Sequence, residues 1–403
     1  MTIFDTVITA QTVCDPSIDY FGPATIGIKS GRIEYFSTEL DSTLQSKNQI
    51  DFVGEVVCPG FIDLHVHVYE WVTNFGISPD KAGINSGATT VVDQGSSGPW
   101  TAGGFEAYIR NEAITDVRCF VSANLAGALM GGMEGTTLHG PQMTRIEEIV
   151  NAYERHPDMI CGIKSHGESG GLSHWDTVVL EQAIEAGERC DIPLYVHTGE
   201  LFPVDDAKRP EPRSVVEKTL QYLRPGDVVA HVYSNVPDGV VGGATTVPDC
   251  VSAAYDRGIK FDVGYGINFS YRIARMMLEK GYPPHTISSD IHGDFNAYHD
   301  FSKLDYSLAG AFNRLIELGL PLNEAVRCLT YSPAVILNSE NEIGTLAKGT
   351  VADMTILEPH SSRHKMSDSE GEEIKPSKIW VPARVFKDGN SHETDTNMFP
   401  DLL

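Results

Sequence analysis

Apolar and polar positions follow two different rhythms along this chain. From about residue 58 to about 337, short apolar runs alternate with stretches whose apolar residues recur at i, i+3 or i+4. The runs are strand candidates. The spaced stretches, such as 146–155, 177–188 and 215–223, present one apolar face, as helices covering a sheet do. Strand candidates fall at 60–66, 89–93, 118–124, 159–164, 193–197, 227–231, 260–263 and 286–290. Strands alternating with helices favour a parallel α/β architecture. Eight such units in about 280 residues match a (β/α)8 TIM barrel. The stretch 313–337 reads as a helical pair closing that barrel.

Outside this region the rhythm changes. Residues 3–8, 24–29 and 32–36 are short runs rich in β-branched and apolar residues, and Ser30-Gly31 separates the last two as a tight turn would. Near the other end, 353–357 and 378–386 repeat this character, with the polar stretch SSRHKMSDSEGEE between them read as a loop. The two ends are expected to join in one small β-sandwich domain, residues 1–57 with 338–403. The barrel domain, 58–337, then becomes an insertion. A chain of 403 residues suits this division, and 41% hydrophobic residues supply a sizeable core.

Charge narrows the partners. A net charge of −25 repels phosphate backbones and anionic membranes, so nucleic acid and membrane are set aside and a small-molecule partner remains. The acidity itself reads first as solubility. Seven cysteines show no CxxC spacing, and Cys58, Cys119, Cys161 and Cys190 sit in or beside apolar segments. That pattern points to a reducing compartment rather than a disulfide framework. The first residues lack a basic and a long apolar region, and no apolar run reaches about 18 residues. The expectation is a soluble cytoplasmic protein. Its oligomeric state stays open, a homo-oligomer included.

The strongest local signal is PGFIDLHVHVY, residues 59–69. In a strand, i and i+2 share a side, so His65 and His67 project together and can share one cation. An isolated HxH is as readily two structural histidines. Four further residues change that balance: Lys164 in CGIKSHG, His197 in PLYVHTGE, His231 in DVVAHVY and Asp290 in TISSDIHGD. Each falls at the C-terminal end of a strand candidate, where barrel active sites form.

This set resembles the amidohydrolase superfamily, in its binuclear branch with a bridging lysine. The segments TTVVDQGSSG, GIKSHG, VHTGE, LRPGDVVAHVY, FDVGYG and TISSDIHGD are similar to a dihydroorotase-like group of bacterial deacetylases of N-acyl amino acids and acetylated 2-hydroxy acids. The resemblance implies two divalent metal ions, with Zn²⁺ suited to the imidazoles. His65, His67 and Asp290 would hold one, His197 and His231 the other. Lys164 would carry a CO2-derived carbamate bridging both. Hydroxide bridging the ions would attack the carbonyl, with Asp290 as catalytic proton shuttle. The implied activity is hydrolysis of an amide or ester, as in a deacylase of N-acyl or O-acyl acids. A cyclic amidohydrolase of the dihydroorotase or hydantoinase kind, a lactonase, and a non-catalytic barrel that kept the fold are the alternatives.

Around this centre, Tyr69, Gln94 to Ser97, His166, Tyr233, Tyr265, Ser270 and His292 are expected at the pocket mouth, with His139 a further candidate. Two positions depart from the deacetylase pattern. His166 stands where arginine is usual, and Tyr265 where histidine is usual. Histidine is a weaker carboxylate clamp than arginine, which leaves the substrate class open. The glycines at 127, 131, 132 and 135 read as a flexible loop over the barrel mouth.

Overall fold

A computed structural model describes residues 3–130, 136–266, 268–293, 304, 306–362 and 364–402. Five strands come first: β1 (Phe4–Asp15), β2 (Tyr20–Lys29), β3 (Arg32–Ser37), β4 (Ser46–Phe52) and β5 (Val56–Pro59). Seven parallel strands follow: β6 (Phe61–Val66), β7 (Ala88–Gln94), β8 (Asp116–Ser122), β9 (Ile160–His166), β10 (Leu194–His197), β11 (Val228–Val229) and β12 (Lys260–Phe261). The helices interleaved with them are α1 (Pro79–Ala82), α2 (Ala102–Tyr108), α3 (Ile146–Arg155), α4 (Ser169–Trp175), α5 (Val178–Cys190), α6 (Pro212–Tyr222), α7 (Asp249–Asp256) and α8 (Tyr271–Glu279).

The parallel sheet has seven strands in the order β12-β11-β10-β9-β8-β7-β6, not eight. The expected eighth strand, 286–290, pairs only through isolated bridges, Asp262 to Thr286 on one side and Val66 to Ile291 on the other. Its side chains and amides are engaged elsewhere. Thr286 and Ser288 donate to the buried Asp262, while the Ser289 amide and hydroxyl donate to the buried Asp63. Amides held by carboxylates are lost to a strand ladder. The segment still binds backbone at both ends of the sheet order, with Tyr265 N donating to Ser288 O and Asp290 N donating to His65 O. After it, the expected helical pair is three helices: α9 (Leu308–Glu317), α10 (Leu322–Arg327) and α11 (Tyr331–Ile336).

Alternation along these strands gives the sheet an inner face. Ile62, Leu64, Val92, Phe120, Tyr195, Val228 and Ala230 form one buried cluster there, covered by Ala334 of α11. Two residues beyond Val92, Gln94 continues the same face, and two beyond Tyr195, His197 does so. A register shift between Asp63 and Val66 in the β6–β7 pairing inserts one extra residue, so His65 joins the face that Ile62 and Leu64 began.

The remaining strands are β13 (Met354–Ser361), β14 (Met366–Ser367), β15 (Glu373–Ile374), β16 (Lys378–Lys387) and β17 (Asn390–Glu393). Both chain ends do meet, but in one branched sheet rather than a sandwich of two. Its order is β17-β16-β13-β5-β1-β2-β3, with β4 also on β1. The cause is the length of β1. One edge pairs with β2 throughout, while the other pairs with β4 from Phe4 to Ala10 and with β5 at Val13. This sheet has its own core, including Ile8, Ile26, Ile28, Val57, Met354 and Phe386. The polar stretch expected to be a loop contains the antiparallel hairpin β14–β15. Gly127, at φ +87°, turns tightly against Ser96, whereas Gly131, Gly132 and Gly135 lie outside the described residues. No helix among the described residues is long and apolar enough to cross a membrane.

The C-terminal tail is anchored by charge. Asp401 accepts from Arg314 Nη1 at 2.8 Å and from Ser307 Oγ at 2.7 Å, and both members of the ion pair are buried. Asp401→Ala leaves a guanidinium buried without its counter-charge. The expected loss is about 3–5 kcal/mol, read as a lower denaturant midpoint. A midpoint shift near zero overturns the assignment.

Candidate active site

Five of the six residues expected to hold metal, and the sixth from the segment after β12, line one cavity of about 480 Å³. His65 comes from β6, Lys164 from β9 and His197 from β10, His67 and His231 lie just past the ends of β6 and β11, and Asp290 ends the bridged segment 286–290. His231 and Asp290 both have positive φ, 59° and 57°. Non-glycine residues adopt this region at a cost of order 1–3 kcal/mol, and such strain concentrates at functional sites. Neighbouring glycines make the room. A Cβ on Gly264 would lie 2.8 Å from His231 Nδ1, and one on Gly95 would lie 2.8 Å from Lys164 Cγ.

His65 Nε2 lies 3.0 Å from Asp290 Oδ1, and His67 Nε2 lies 3.4 Å from the same oxygen. These three ligand atoms form a group compact enough for one ion. The hydrogen bonds behind them assign the protons. Tyr195 donates its hydroxyl hydrogen to Asp262, so its oxygen accepts from His65 Nδ1 at 2.9 Å. In neutral His65, Nε2 is then a lone pair facing the Asp290 carboxylate. His67 Nδ1 contacts Ser96 Oγ at 2.9 Å.

The second pair repeats this logic. His231 Nδ1 donates to Gly264 O at 2.7 Å and His197 Nε2 donates to Gly199 O at 2.9 Å. Their other nitrogens, His231 Nε2 and His197 Nδ1, face each other at 2.9 Å. Neutral rings cannot bond there, because both nitrogens are acceptors. Burial drives the pKa of His65 and His197 well below 6.5 and lowers that of His231, so the rings stay neutral. Acceptors opposed at such distances fit a cation between them.

Lys164 lines the same cavity as the two clusters. It is buried, and burial lowers its pKa from 10.5 to about 8. Among the described residues its ammonium makes no hydrogen bond or ion pair and lies 4.5 Å over the Tyr195 ring. A free amine is the form that adds CO2, and such burial enriches it near neutral pH.

The wider pocket matches the sequence in part. His166, Tyr265, His292, Gln94 and Gly95 line the cavity. Tyr69 and Tyr233 do not. Tyr69 packs on Phe105 and donates to Thr101 O, and Tyr233 is wholly buried with its hydroxyl toward Tyr282 O. Both were expected at the pocket mouth from their place two residues after a metal candidate, but β6 ends at Val66 and β11 at Val229, so each lies past its strand. His139 faces a smaller neighbouring cavity, its ring 6.1 Å from that of His166. Burial pushes His166 well below 6.5 and His139 to about 4. Sequence reasoning missed Tyr195 and Asp262. Tyr195 stands two residues before His197, so period two carried the signal. Phe75, Val236, Asn268 and Phe269 also line the cavity, from loops with no periodic signal.

No protein-family model matches the chain. Curated relatives do. A deacetylase of Brucella anthropi is 25% identical over 355 residues, covering 88% of this chain and 84% of that one. A deacetylase of Enterococcus faecalis is 26% identical over 373 residues, covering 90% and 95%. The resemblance to the amidohydrolase superfamily holds. Among solved structures, an adenine deaminase superposes with a TM-score of 0.82 at 24% identity, covering 97% of this chain and all of that one. A dihydroorotase gives 0.79 at 23%, covering 97% and 98%. At these identities the amidohydrolase likeness in structure is one of TIM-barrel fold.

Proposed function

We propose that this chain is a metal-dependent amidohydrolase that removes the acyl group from a small N-acyl or O-acyl compound. The observation that carries the reading is the pairing of acceptors without a proton between them, His65 against Asp290 and His197 against His231, with His67 Nε2 3.4 Å from the same Asp290 oxygen. This donor set fits two divalent ions, with zinc suited to four imidazoles. His65, His67 and Asp290 would hold one, His197 and His231 the other, and Lys164 as its carbamate would supply the shared anionic ligand. When bound, the ions polarise the acyl carbonyl and make water acidic enough to attack it near neutral pH.

The chain's own groups do the rest. Asp290 is the base for the attacking water and returns that proton to the leaving amine or alkoxide. Tyr195 and Asp262 keep the His65 ring in one tautomer and orientation. Gln94 donates Nε2 to Leu64 O, and its buried Oε1 has no partner among the described residues, leaving an acceptor for a substrate N–H. Sequence likeness to two deacetylases favours acyl transfer to water over ring opening.

Two measurements test this reading. Elemental analysis of metal-supplied protein is expected to give about two ions per chain, and one or none overturns the paired site. A screen of N-acyl D- and L-amino acids, acylated amines, acylated hydroxy acids and cyclic imides is expected to find turnover among the acyl compounds. Turnover confined to cyclic imides makes the chain a cyclic amidohydrolase instead.

A further inference from the structure

The polar stretch between β13 and β16 has no evident task in the C-terminal sheet, yet its hairpin β14–β15 reaches the pocket wall. That wall is the segment bearing Tyr265, Asn268 and Phe269. On one side it is paired to the loop after β11: Ser234 bridges Phe269, Asn235 N donates to Asn268 O, and Ser270 N donates to Tyr233 O. On the other side it is held by the hairpin. Ser369 donates both its amide, at 3.0 Å, and its hydroxyl, at 2.9 Å, to Phe269 O.

One carboxylate organises this contact. Asp368 Oδ2 accepts from Tyr271 N at 2.8 Å, satisfying an amide in the first turn of α8. Its Oδ1 accepts from Glu370 N at 2.9 Å and Glu372 N at 2.8 Å, which shapes the hairpin turn. Tyr271 donates its hydroxyl to Met366 O, and Ser270 donates to Glu370. Arg272–Glu370 and Arg275–Glu372 add exposed ion pairs, which water and salt screen. The Phe269 ring, fixed in this way, lies tilted 5.3 Å from the Tyr265 ring and edge-on 6.0 Å from the Tyr233 ring.

We infer that the hairpin at 366–374 is a positioning element for the substrate pocket: through Asp368 and Ser369 it fixes Asn268 and Phe269, and substrate affinity depends on that hold. This rests on the proposed acyl hydrolysis taking place in the same cavity. The hairpin touches none of the reacting groups, so it acts on binding rather than on the chemical step.

The test is Asp368→Ala in the full metal-loaded chain, with Asp368→Asn as an intermediate variant that keeps one acceptor oxygen, for either Tyr271 N or the Glu370 and Glu372 amides, and turns the other into a donor. For the best acyl substrate of the screen, KM is expected to rise about fivefold or more in Asp368→Ala with kcat within about twofold, and to rise less in Asp368→Asn. Amide hydrogen exchange over 268–274 is expected to accelerate most in the alanine variant. If Asp368→Ala does not fold, Ser369→Ala, which removes only the hydroxyl bond to Phe269 O, is expected to raise KM about twofold. Faster exchange at 268–274 with an unchanged KM overturns the inference, as does an equal fall in kcat without a rise in KM. A wild type that hydrolyses no acyl compound sinks the proposed activity alone. Exchange still decides the hairpin then, and unchanged rates at 268–274 in Asp368→Ala overturn it.

Discussion

Lys164→Ala is expected to bind at most about one divalent ion per chain and to lose about 10⁴-fold or more in kcat/KM. The argument starts from electrostatics. An unmodified ammonium here would face four imidazoles meant for cations and would repel both ions. Converted to a carbamate, the same side chain brings a negative charge and two oxygens to the place between them. Its stem crosses the Tyr195 ring and reaches the cluster because Gly95 leaves room at Lys164 Cγ. Lys164→Arg separates charge from chemistry. Arginine keeps the cation and the length, but guanidinium neither deprotonates nor forms the carbamate. Both variants are therefore expected to be inactive. Metal-free Lys164→Ala is expected to be at least as stable as metal-free wild type, because it no longer buries an unpaired ammonium. Thermal melts of the metal-free proteins check this and separate lost activity from lost fold. Wild-type activity in Lys164→Ala rules out the bridging role.

The order of the sheet and the side chains around its inner face were legible in the sequence because period-two alternation is a local signal. His65, Lys164 and His197 stand on strands, and the apolar runs ending in them read correctly. His231 and Asp290 were found by residue type and position, although the structure holds them past the strands in left-handed backbone. Alternation failed at the next step. Tyr69 and Tyr233, expected at the pocket mouth, stand two residues beyond a ligand, but the chain had already left the strand there. The segment 286–290 read as the eighth short strand in the strand–helix rhythm, while its hydroxyls were bound for Asp262 and Asp63, partners 24 or more residues away in sequence. The sandwich was misread for a similar reason. Nothing local to β1 shows that one edge serves β4 and then β5. The hairpin β14–β15 has two residues per strand, with Met366 and Ile374 its paired apolar positions, too short for either period to mark. Its partners, Phe269 and Tyr271, lie about 100 residues away.

The second large effect is expected at Asp290. Asp290→Asn keeps the size and one oxygen of the side chain and removes its charge and its basicity. General acid–base catalysis contributes about 10²–10⁴-fold, so kcat is expected to fall within or beyond that range while KM changes little. The fold should tolerate the change. Asp290 N donates to His65 O at 2.8 Å, and Tyr306 donates its hydroxyl to Asp290 O at 2.7 Å, so the backbone bonds that hold φ at 57° are untouched. Asparagine is also among the residues that best accept this conformation. Metal content divides the two tasks assigned to this one carboxylate. His65 and His67 remain, and the asparagine oxygen still reaches the ion, so elemental analysis is expected to show at least one ion retained with activity lost. That outcome ties the loss to proton transfer. Loss of both ions together with activity would make Asp290 a ligand first. Activity within about tenfold of wild type would remove it from the proton path altogether, and the base would then have to be sought among the other groups lining the cavity, His166 and His292 first.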